Sequence, residues 1–176
     1  MKPRLLYGDP NLLGERPVIG AASGDVIRQG HYSGTTVWSS SLHFGVFVGA
    51  RLIGAMQFGP GMNPHSGGGV VEGTGPDEWL ELNRLWLADD RPANTASRAI
   101  SGALRVVHHA RPRVLWVQSF ADERCGKYGG VYQACSFLYC GSHSSAFYEI
   151  DGLWFHKSIM GNEALEHVSL DERTPA

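Results

Sequence analysis

The strongest constraint on the fold lies in residues 79–110, where an apolar strand leads through a short polar loop into an amphipathic helix. Residues 79–87 (WLELNRLWL) have the length and composition of a strand. Residues 95–110 have helical periodicity, with four apolar side chains on one face, namely Ile100, Ala103, Leu104 and Val107. Asn94 or Thr95 is expected to cap this helix by accepting its free amide hydrogens. Such junctions commonly hold an anion, yet this one contains no glycine, and its occupant is left open.

Apolar runs on both sides of this junction predict further strands. Residues 42–48 and 52–58 flank a tight turn at residues 49–51, which is a hairpin signal. The remaining predicted elements are a buried strand at 114–120, a helix at 127–137 broken by Gly129-Gly130, and a last hairpin of 147–150 and 153–157 around Asp151-Gly152. The order of hairpin, strand, helix, strand, helix and hairpin predicts an α/β fold with a mixed central sheet flanked by helices.

The rest of the chain is less regular, and we expect one domain over residues 1–176. Residues 1–34 carry scattered Pro and Gly and predict an irregular or partly helical N-terminal lobe. Residues 59–75 contain seven glycines and predict a mobile loop, which in a compact domain is either functional or disordered. Residues 162–176 predict a polar, acidic tail or a short helix.

Composition excludes several classes of protein. No apolar stretch approaches the roughly 20 residues that span a bilayer, so we expect no membrane partner and a cytoplasmic location. The three cysteines, Cys125, Cys135 and Cys140, are odd in number and lack close pairing, which predicts reduced thiols.

The charge distribution favours one region for contact with a phosphate backbone. The net charge is −2, which argues against a general polyanion binder. Six acids lie from residue 149 onward, whereas residues 91–121 contain five arginines and no acid. On the helix, Arg98, Arg105 and His109 fall opposite the apolar face. We therefore predict a surface for double-stranded DNA formed by Arg105, His109, Arg111 and Arg113.

Four ordered segments carry a resemblance to a known family. They are GVFVGARLIGAMQFGPGMNP, VVEGTGPDEWLELNRLWLADDRPANTASRAIS, RPRVLWVQSFADERCGKYGGVYQACSFLYCG and FYEIDGLWFHK. Together they resemble the Mom family of phage DNA-modification proteins over roughly residues 45–157. The resemblance implies a GNAT-like fold and conversion of the exocyclic amine of adenine in duplex DNA to a carbamoylmethyl (acetamido) derivative, which shields phage DNA from restriction.

The resemblance also suggests what the glycine-free junction holds. GNAT acyltransferases grip the pyrophosphate of acyl-coenzyme A with a glycine-containing loop, whereas residues 91–98 here read RPANTASR, which argues against coenzyme A. The resemblance instead implies that side chains and the helix start hold a phosphate or a small glycine-like donor. The predicted donor-binding residues are Arg84, Asn94, Thr95, Ser97 and Arg98. Arg84 could equally form a buried ion pair with Glu81.

Catalytic candidates follow from the family motifs and from position. Asp122 ends the family's Ser-Phe-Ala-Asp motif just after the predicted strand at 114–120, where open α/β sheets place ligands. It would act as a base on the adenine amine or as an iron ligand; a plain helix cap is the structural alternative. The His31-Tyr32 pair matches the family's His-Tyr, and His31 with Asp122 would supply iron ligands. Ser119 and Tyr132 could line the same cleft, with Tyr132 as general acid.

Several assignments remain open at the level of sequence. His43 is predicted to be a core histidine, His65 could join a site only if the glycine-rich loop closes, and His108 suits a helix end. Phe58, Trp79 and Tyr128 could sandwich an extruded base or belong to the core. Two other functions compete with DNA modification: an ordinary GNAT N-acyltransferase using acetyl-coenzyme A, and a non-catalytic DNA-binding anti-restriction protein. A second copy of the chain is a further candidate partner.

Overall fold

The computed structural model describes residues 4–8, 18–123, 126–142, 147–150 and 153–156, with side chains for residues 21–123 and 126–142. The chain divides into two compact units. The first comprises Met1–Ala121 and Lys127–Leu138, and the second comprises Asp122–Gly126 and Tyr139–Ala176. The organisation as one domain stays a prediction.

A five-stranded sheet forms the centre of the first unit. Its strands are β1 (Arg4–Gly8), β2 (Leu42–Val48), β3 (Arg51–Gly59), β4 (Trp79–Leu87) and β5 (Trp116–Gln118). They lie side by side in chain order. The pairs β1–β2, β2–β3 and β3–β4 are antiparallel, whereas β5 runs parallel to β4. A parallel neighbour requires a crossover connection, and the helix at residues 95–110 supplies it. The predicted mixed α/β sheet is confirmed.

Two helices cover the two faces of this sheet. They are α1 (Val18–Gly30) and α2 (Thr95–Ala110). In β3, Gln57 faces α1, where its side chain meets Ser23, while the neighbouring Met56 and Phe58 belong to the core that includes α2. Because successive strand residues point to opposite faces, α1 and α2 lie on opposite sides. The hairpin, the following strand, the ligand loop and α2 thus keep the GNAT-like order that the resemblance implies.

The main core packs the α2 face of the sheet. Its fully buried members include Phe44 and Phe58, whose rings meet edge to face with centroids 5.4 Å apart. α2 contributes Ala99, Ile100, Ala103 and Val107, as its apolar periodicity predicts. Leu104 is partly buried against the same cluster. Burial of this helical stripe is the main stabilisation of α2, since isolated helices of this length are marginal in water.

Two regions expected to be irregular are in fact built into the fold. Residues 1–34 contain β1, which pairs with β2, and the helix α1, so the prediction of an irregular lobe was wrong apart from its partly helical content. Residues 59–75 contain a 3₁₀ helix, Pro64–Gly69, that packs against Trp79. The Trp79 indole Nε1 donates to the Pro64 carbonyl oxygen at 2.8 Å, and added Cβ atoms at Gly61 and Gly67 would collide with its ring. This segment is therefore anchored to a core residue and contains local helical structure, while its mobility stays a prediction.

Two other elements are shorter than predicted. The strand expected at residues 114–120 is β5, which spans three residues, and its flanking Leu115 and Phe120 are exposed. The helix expected at 127–137 is α3 (Gly130–Gln133), preceded by Gly129 with a positive φ. The final hairpin is confirmed in the second unit as β6 (Phe147–Ile150) paired antiparallel with β7 (Leu153–His156). Its turn and the acidic tail at 162–176 lie outside the described residues.

Two expectations from composition can be compared with the described residues. Cys135 and Cys140 are free thiols, whereas Cys125 lies outside the described part of the chain. Among the described helices, none is long and apolar enough to cross a bilayer.

Candidate functional site

A β-bulge in β4 positions two charged side chains on one face of the sheet. Gln57 pairs with Arg84 and Phe58 pairs with Leu82, so Asn83 is an extra residue in β4. Strict alternation would place Glu81 and Arg84 on opposite faces. Because of the bulge they share the α1 face, close enough for Glu81 to raise the pKa of Arg84. The bulge thus explains how Arg84 can approach Glu81, the partner that the sequence suggested for it.

His31 follows α1 directly and is held in one orientation by local hydrogen bonds. Its backbone amide donates to the Ile27 carbonyl oxygen, which continues the last turn of α1. The Ser33 amide donates to the imidazole Nδ1 at 3.2 Å, and the Ser33 hydroxyl lies 2.8 Å from the same nitrogen. In that arrangement Nδ1 accepts, so the neutral ring carries its proton on Nε2. The Tyr32 ring lies against the imidazole, with centroids 4.3 Å apart.

Burial and the neighbouring Arg84 charge lower the pKa of His31 from 6.5 to about 4. The imidazole is therefore neutral at physiological pH, as a proton acceptor or a metal ligand must be. Arg84 is itself fixed: its Nε donates to the Thr35 carbonyl oxygen at 3.0 Å and its Nη1 to the Asn83 carbonyl oxygen at 2.7 Å. Burial lowers the pKa of Arg84, and Tyr32 and Glu81 oppose this effect.

Tyr132 and Ser119 meet near Glu81 in the same unit. The Ser119 hydroxyl donates to the Leu82 carbonyl oxygen at 3.3 Å and also hydrogen-bonds to Tyr132. Burial raises the pKa of Tyr132, and Cys135 and Glu81 raise it further, while the Ser119 hydrogen bond acts against them. The phenol therefore keeps its proton at neutral pH, which is the state that a general acid requires.

Four of the five predicted catalytic residues lie in the first unit as two contacting pairs, His31 with Tyr32 and Ser119 with Tyr132. The charge of Arg84 lowers the pKa of His31, and Tyr32 and Glu81 raise the pKa of Arg84. Glu81 also raises the pKa of Tyr132. We call the set His31, Tyr32, Glu81, Arg84, Ser119 and Tyr132 the polar cluster. Asp122, the fifth residue, opens the second unit, and its role remains a prediction.

The described residues do not supply an iron site by themselves. No group of three or more His, Cys, Asp or Glu side chains comes together in the described part of the chain. The guanidinium beside His31, which helps lower its pKa, also disfavours a cation at that imidazole. The predicted iron ligands His31 and Asp122 belong to different units.

The predicted donor-binding residues divide between two places. Asn94, Thr95 and Ser97 line a cleft of about 320 Å³ at the start of α2, together with Arg91 and with Val131 and Ala134 from the α3 segment. Arg98 is exposed on α2 one residue further on. Arg84 belongs to the polar cluster instead, so it does not share the cleft lined by the other residues.

The start of α2 is not capped as predicted. Asn94 adopts a left-handed conformation with φ 60° and makes no side-chain capping bond. The Thr95 hydroxyl donates to the Pro92 carbonyl oxygen at 2.6 Å instead of accepting from the helix. The prediction that either side chain satisfies the first-turn amides was therefore wrong. Residues of this first turn line the cleft, where free amide hydrogens would stabilise an anion.

The basic surface predicted for DNA is present on α2. Arg98, Arg105 and His109 are all exposed, opposite the buried stripe of the helix. Arg113 is exposed as well and lies 3.6 Å from the Asp77 carboxylate, a neighbour that the charge count over residues 91–121 did not include. Arg111 is partly buried at the end of α2, where its amide donates to the Val107 carbonyl oxygen at 2.8 Å.

Two aromatic candidates for base stacking belong to the core. Phe58 is fully buried, and Trp79 is buried with its indole stacked on Trp116 at 5.1 Å. Of the two alternatives for these residues, the core is confirmed for Phe58 and Trp79, whereas Tyr128 is exposed and stays a candidate for stacking. His43 is half-buried and lines a cavity instead of lying within the core. Sequence reasoning missed Ser33 and Thr35, whose hydrogen bonds fix His31 and Arg84; small polar residues directly after His31-Tyr32 were the available signal.

The fold and the polar cluster define the class: a mixed-sheet α/β protein of GNAT-like layout with a neutral histidine beside an arginine and a tyrosine that keeps its proton. Residues 16–174 match the Mom protein family, and the chain belongs to that family. It is similar to methylcarbamoylase mom of Escherichia phage Mu, with 53% identity over 135 residues that cover 77% of this chain and 56% of the relative. The chain thus spans little more than half the length of that relative.

Among solved structures, the chain is similar to an aminoglycoside acetyltransferase from an uncultured soil metagenomic sample. The identity is 13% and the TM-score is 0.46, with 76% of this chain and 88% of that chain covered.

Proposed function

We propose that the protein is a phage DNA-modification enzyme that converts the exocyclic amine of adenine in duplex DNA to a carbamoylmethyl derivative and so protects the DNA from restriction. The observation that carries this proposal is the match to the Mom family over residues 16–174. The relative from phage Mu bears the name methylcarbamoylase, and the 53% identical region covers most of this chain. Action on DNA inside a bacterial host implies a cytoplasmic location.

The chemistry requires help because the adenine amine is a poor nucleophile. Its lone pair is delocalised into the ring, so a new N–C bond needs an activated donor and a group that takes the amine proton. As the bond to the donor carbon forms, the donor's leaving group departs with its electron pair. A base removes one amine hydrogen, and an acid protonates the leaving group.

The residues of this chain can fill those roles. Tyr132 keeps its proton because burial raises its pKa, and it is proposed as the acid. Asp122 is proposed as the base on the strength of the family motif. His31 is neutral and held by Ser33, and Arg84 is a fixed positive charge beside it that can stabilise developing negative charge on the donor. Tyr32 lies on the imidazole and limits its rotation.

The donor is proposed to bind at the start of α2. The cleft of about 320 Å³ is large enough for a small glycine-like molecule. Its lining from Asn94, Thr95 and Ser97 is polar, and the uncapped first turn offers amide hydrogens to a carboxylate or phosphate. Arg105 and His109 of α2, with Arg111 and Arg113 after the helix, are proposed to contact DNA phosphates.

Iron has a limited place in this proposal. A metal at the Nε2 of His31 would require the ring proton to move to Nδ1, which would displace the Ser33 amide that now donates there. The described residues complete no metal site around it, and no catalytic step is assigned to a metal. Iron binding through His31 and Asp122, and assembly into a homodimer, stay predictions.

The test is mass spectrometry of nucleosides from bacterial DNA after expression of the chain. Deoxyadenosine carrying a carbamoylmethyl group is expected. Its mass exceeds that of deoxyadenosine by C2H3NO, because the group replaces one amine hydrogen. Unmodified DNA together with a calorimetric complex of acetyl-coenzyme A would identify an N-acyltransferase. Unmodified DNA together with duplex binding would identify a non-catalytic DNA-binding protein.

A further inference from the structure

A second cavity lies on the α1 face of the sheet, separate from the cleft at α2. It has a volume of about 230 Å³, and its lining includes Ala21, Arg28, Trp38, Ser40, His43 and Gln57. One water molecule occupies roughly 30 Å³ of liquid, so the cavity has room for several waters or one small planar heterocycle. Its walls come from α1, from the segment that precedes β2, and from β2 and β3.

Gln57 is the least expected residue in this lining. It is 1% exposed, and its Nε2 lies 3.5 Å from the Ser23 hydroxyl, at the limit of a hydrogen bond. Its amide oxygen accepts no hydrogen bond from the described residues. A buried acceptor without a donor is costly, and nearly all such groups in native proteins have a partner. Because Gln57 lines the cavity, a molecule there that donates a hydrogen would supply that partner once the side-chain amide turns toward it.

Trp38 supplies a flat aromatic surface at the same cavity. It lines the cavity although 96% of its surface is exposed, so it lies at the mouth. An indole left in solvent beside a cavity is suited to stack on a planar ligand. The guanidinium in the lining, that of Arg28, already pairs with Asp25 at 2.6 Å, so it does not mark the cavity as an anion site.

The cavity adjoins the polar cluster through the sheet itself. Gln57 is the cross-strand partner of His43 on one side and of Arg84 on the other. Directly opposed residues have Cβ atoms roughly 4.5–5.5 Å apart. A ligand held by Gln57 would therefore lie one strand away from Arg84, whose charge acts on His31.

We propose that this cavity binds the adenine base that is extruded from the duplex, with Gln57 reading its amine edge and Trp38 stacking on its ring. The Gln57 oxygen accepts one hydrogen of the exocyclic amine, and its Nε2 donates to the adjacent ring nitrogen, the pairing by which glutamine recognises adenine. The second amine hydrogen is left for removal. This inference rests on the proposed function and specifies its substrate site.

A small donor molecule is the competing occupant of this cavity. A glycine-like donor would satisfy Gln57 through its amide or amine hydrogens, but it has no ring to cover the exposed indole of Trp38. It would also be expected where amide hydrogens and polar side chains converge, which is the cleft at α2. The stacking surface therefore favours the base.

The test uses the full chain labelled with ¹⁵N and titrated with 9-methyladenine, 9-methylpurine and glycinamide. The purine differs from the adenine solely in lacking the amine. We expect 9-methyladenine to move the Gln57 side-chain amide and the Trp38 indole signals, and we expect 9-methylpurine to bind at least tenfold more weakly. Equal binding of the two heterocycles would overturn the proposal. A Gln57 signal that moves with glycinamide alone, or with none of the three ligands, would overturn it as well.

Two variants and one control separate recognition from folding. Gln57→Leu should remove the preference for 9-methyladenine while 9-methylpurine still binds. Trp38→Ala should weaken both ligands about tenfold or more, and it cannot disturb the core because Trp38 is 96% exposed. Gln133→Leu changes an exposed glutamine of α3 and should leave both affinities unchanged. A retained preference in Gln57→Leu would refute the role of that amide.

The outcomes also distinguish this inference from the proposed function. If host DNA contains modified adenine but the chain shows no amine-dependent binding at Gln57, the cavity assignment fails alone. If the binding preference is present and host DNA stays unmodified, the proposed reaction fails while the adenine site stands.

Discussion

The Arg84 guanidinium lies close enough to the His31 imidazole to disfavour a second positive charge there. Burial is the larger cause and Arg84 the second cause of a His31 pKa of about 4. Because the two residues come from different elements, their proximity depends on the native packing of the segment after α1 on β4. Unfolding separates them, and this links protonation of His31 to stability.

The first prediction concerns stability against pH. In the unfolded chain His31 takes up a proton near its ordinary pKa of 6.5, whereas in the folded chain it does so near 4. Stability is therefore expected to fall as the pH drops from 6.5 toward 4, because the unfolded state binds the extra proton in that window. We expect roughly 1–2 kcal/mol, less than the full shift would give, since His31 is partly exposed.

Urea denaturation across this pH range measures the effect. His31→Gln should flatten the dependence relative to the unmodified chain, while His108→Gln, at an exposed position on α2, should not. If the free energy of unfolding depended on pH in the same way for His31→Gln and for the unmodified chain, the pair of His31 and Arg84 would not be the cause of that dependence.

The second prediction concerns Tyr132 as the acid of the proposed reaction. Tyr132→Phe removes the hydroxyl but keeps the ring that packs beside Phe137 at 5.5 Å. Modified adenine in host DNA should fall by about 10²–10⁴-fold in initial rate, which is typical for loss of a general acid, with the melting temperature nearly unchanged. Tyr128→Phe, at a tyrosine that is 74% exposed, serves as the control. Full activity of Tyr132→Phe would exclude the role.

The third prediction concerns the DNA surface. Replacing Arg105 and Arg113 together by Gln should weaken duplex binding and reduce the slope of affinity against salt by about one to two. Arg113 lies 3.6 Å from Asp77, so Asp77→Asn should strengthen binding. Arg51→Gln, which breaks the exposed pair with Asp90, is the matched control. If the double substitution left the slope of DNA affinity against salt unchanged, the DNA would bind to another surface of the protein.

The fourth prediction concerns Asp122. Asp122→Asn preserves size and removes the charge, so it should abolish adenine modification while melting temperature and duplex affinity stay close to those of the unmodified chain. Asp90→Asn, at an exposed carboxylate outside the cleft, is the control. If iron is bound through Asp122 and His31, Asp122→Asn and His31→Ala should each also lower the iron content of anaerobically purified protein. Modified adenine in cells with Asp122→Asn would remove Asp122 from the mechanism.

The fifth prediction concerns the packing of α1 on the sheet. An added Cβ at Gly30 would collide with the Trp86 indole, so Gly30→Ala should cost about 1–3 kcal/mol. Gly24→Ala in the same helix meets the flexible Arg28 guanidinium at 3.4 Å, and the gain in helix propensity should make it neutral or stabilising by about 0.5–1 kcal/mol. Thermal melting of the two variants compares them directly, and a similar loss in both would contradict this packing.

The elements set by local periodicity could be predicted closely from the sequence. β4 and α2 have the bounds that their apolar patterns predict, and the hairpin of β2 and β3 follows from its turn. The elements defined by distant partners could not. β1 is recognised as a strand by its pairing with β2, more than thirty residues away. α1 contains three glycines, which weaken its helical pattern.

The candidate site shows the same division. Family resemblance identified four candidates, namely His31, Tyr32, Ser119 and Tyr132. The bulge at Asn83, which turns Arg84 toward His31, has no signature in the strand sequence. The glycines at 61 and 67 also looked like signs of mobility, whereas they permit close approach to Trp79. Their meaning depends on a tertiary contact, and periodicity carries no information about it.

The stack of Trp79 on Trp116 gives this molecule an internal optical reporter. The planes of the two indoles are nearly parallel, with an interplanar angle of 10°. The two residues pair at the start of the parallel β4–β5 ladder. Stacked indoles couple excitonically and produce a paired signal in far-ultraviolet circular dichroism. Detachment of the three-residue strand β5 from β4 would therefore extinguish that couplet before the helical signal of α2 is lost, so fraying at this edge of the sheet can be followed without any label.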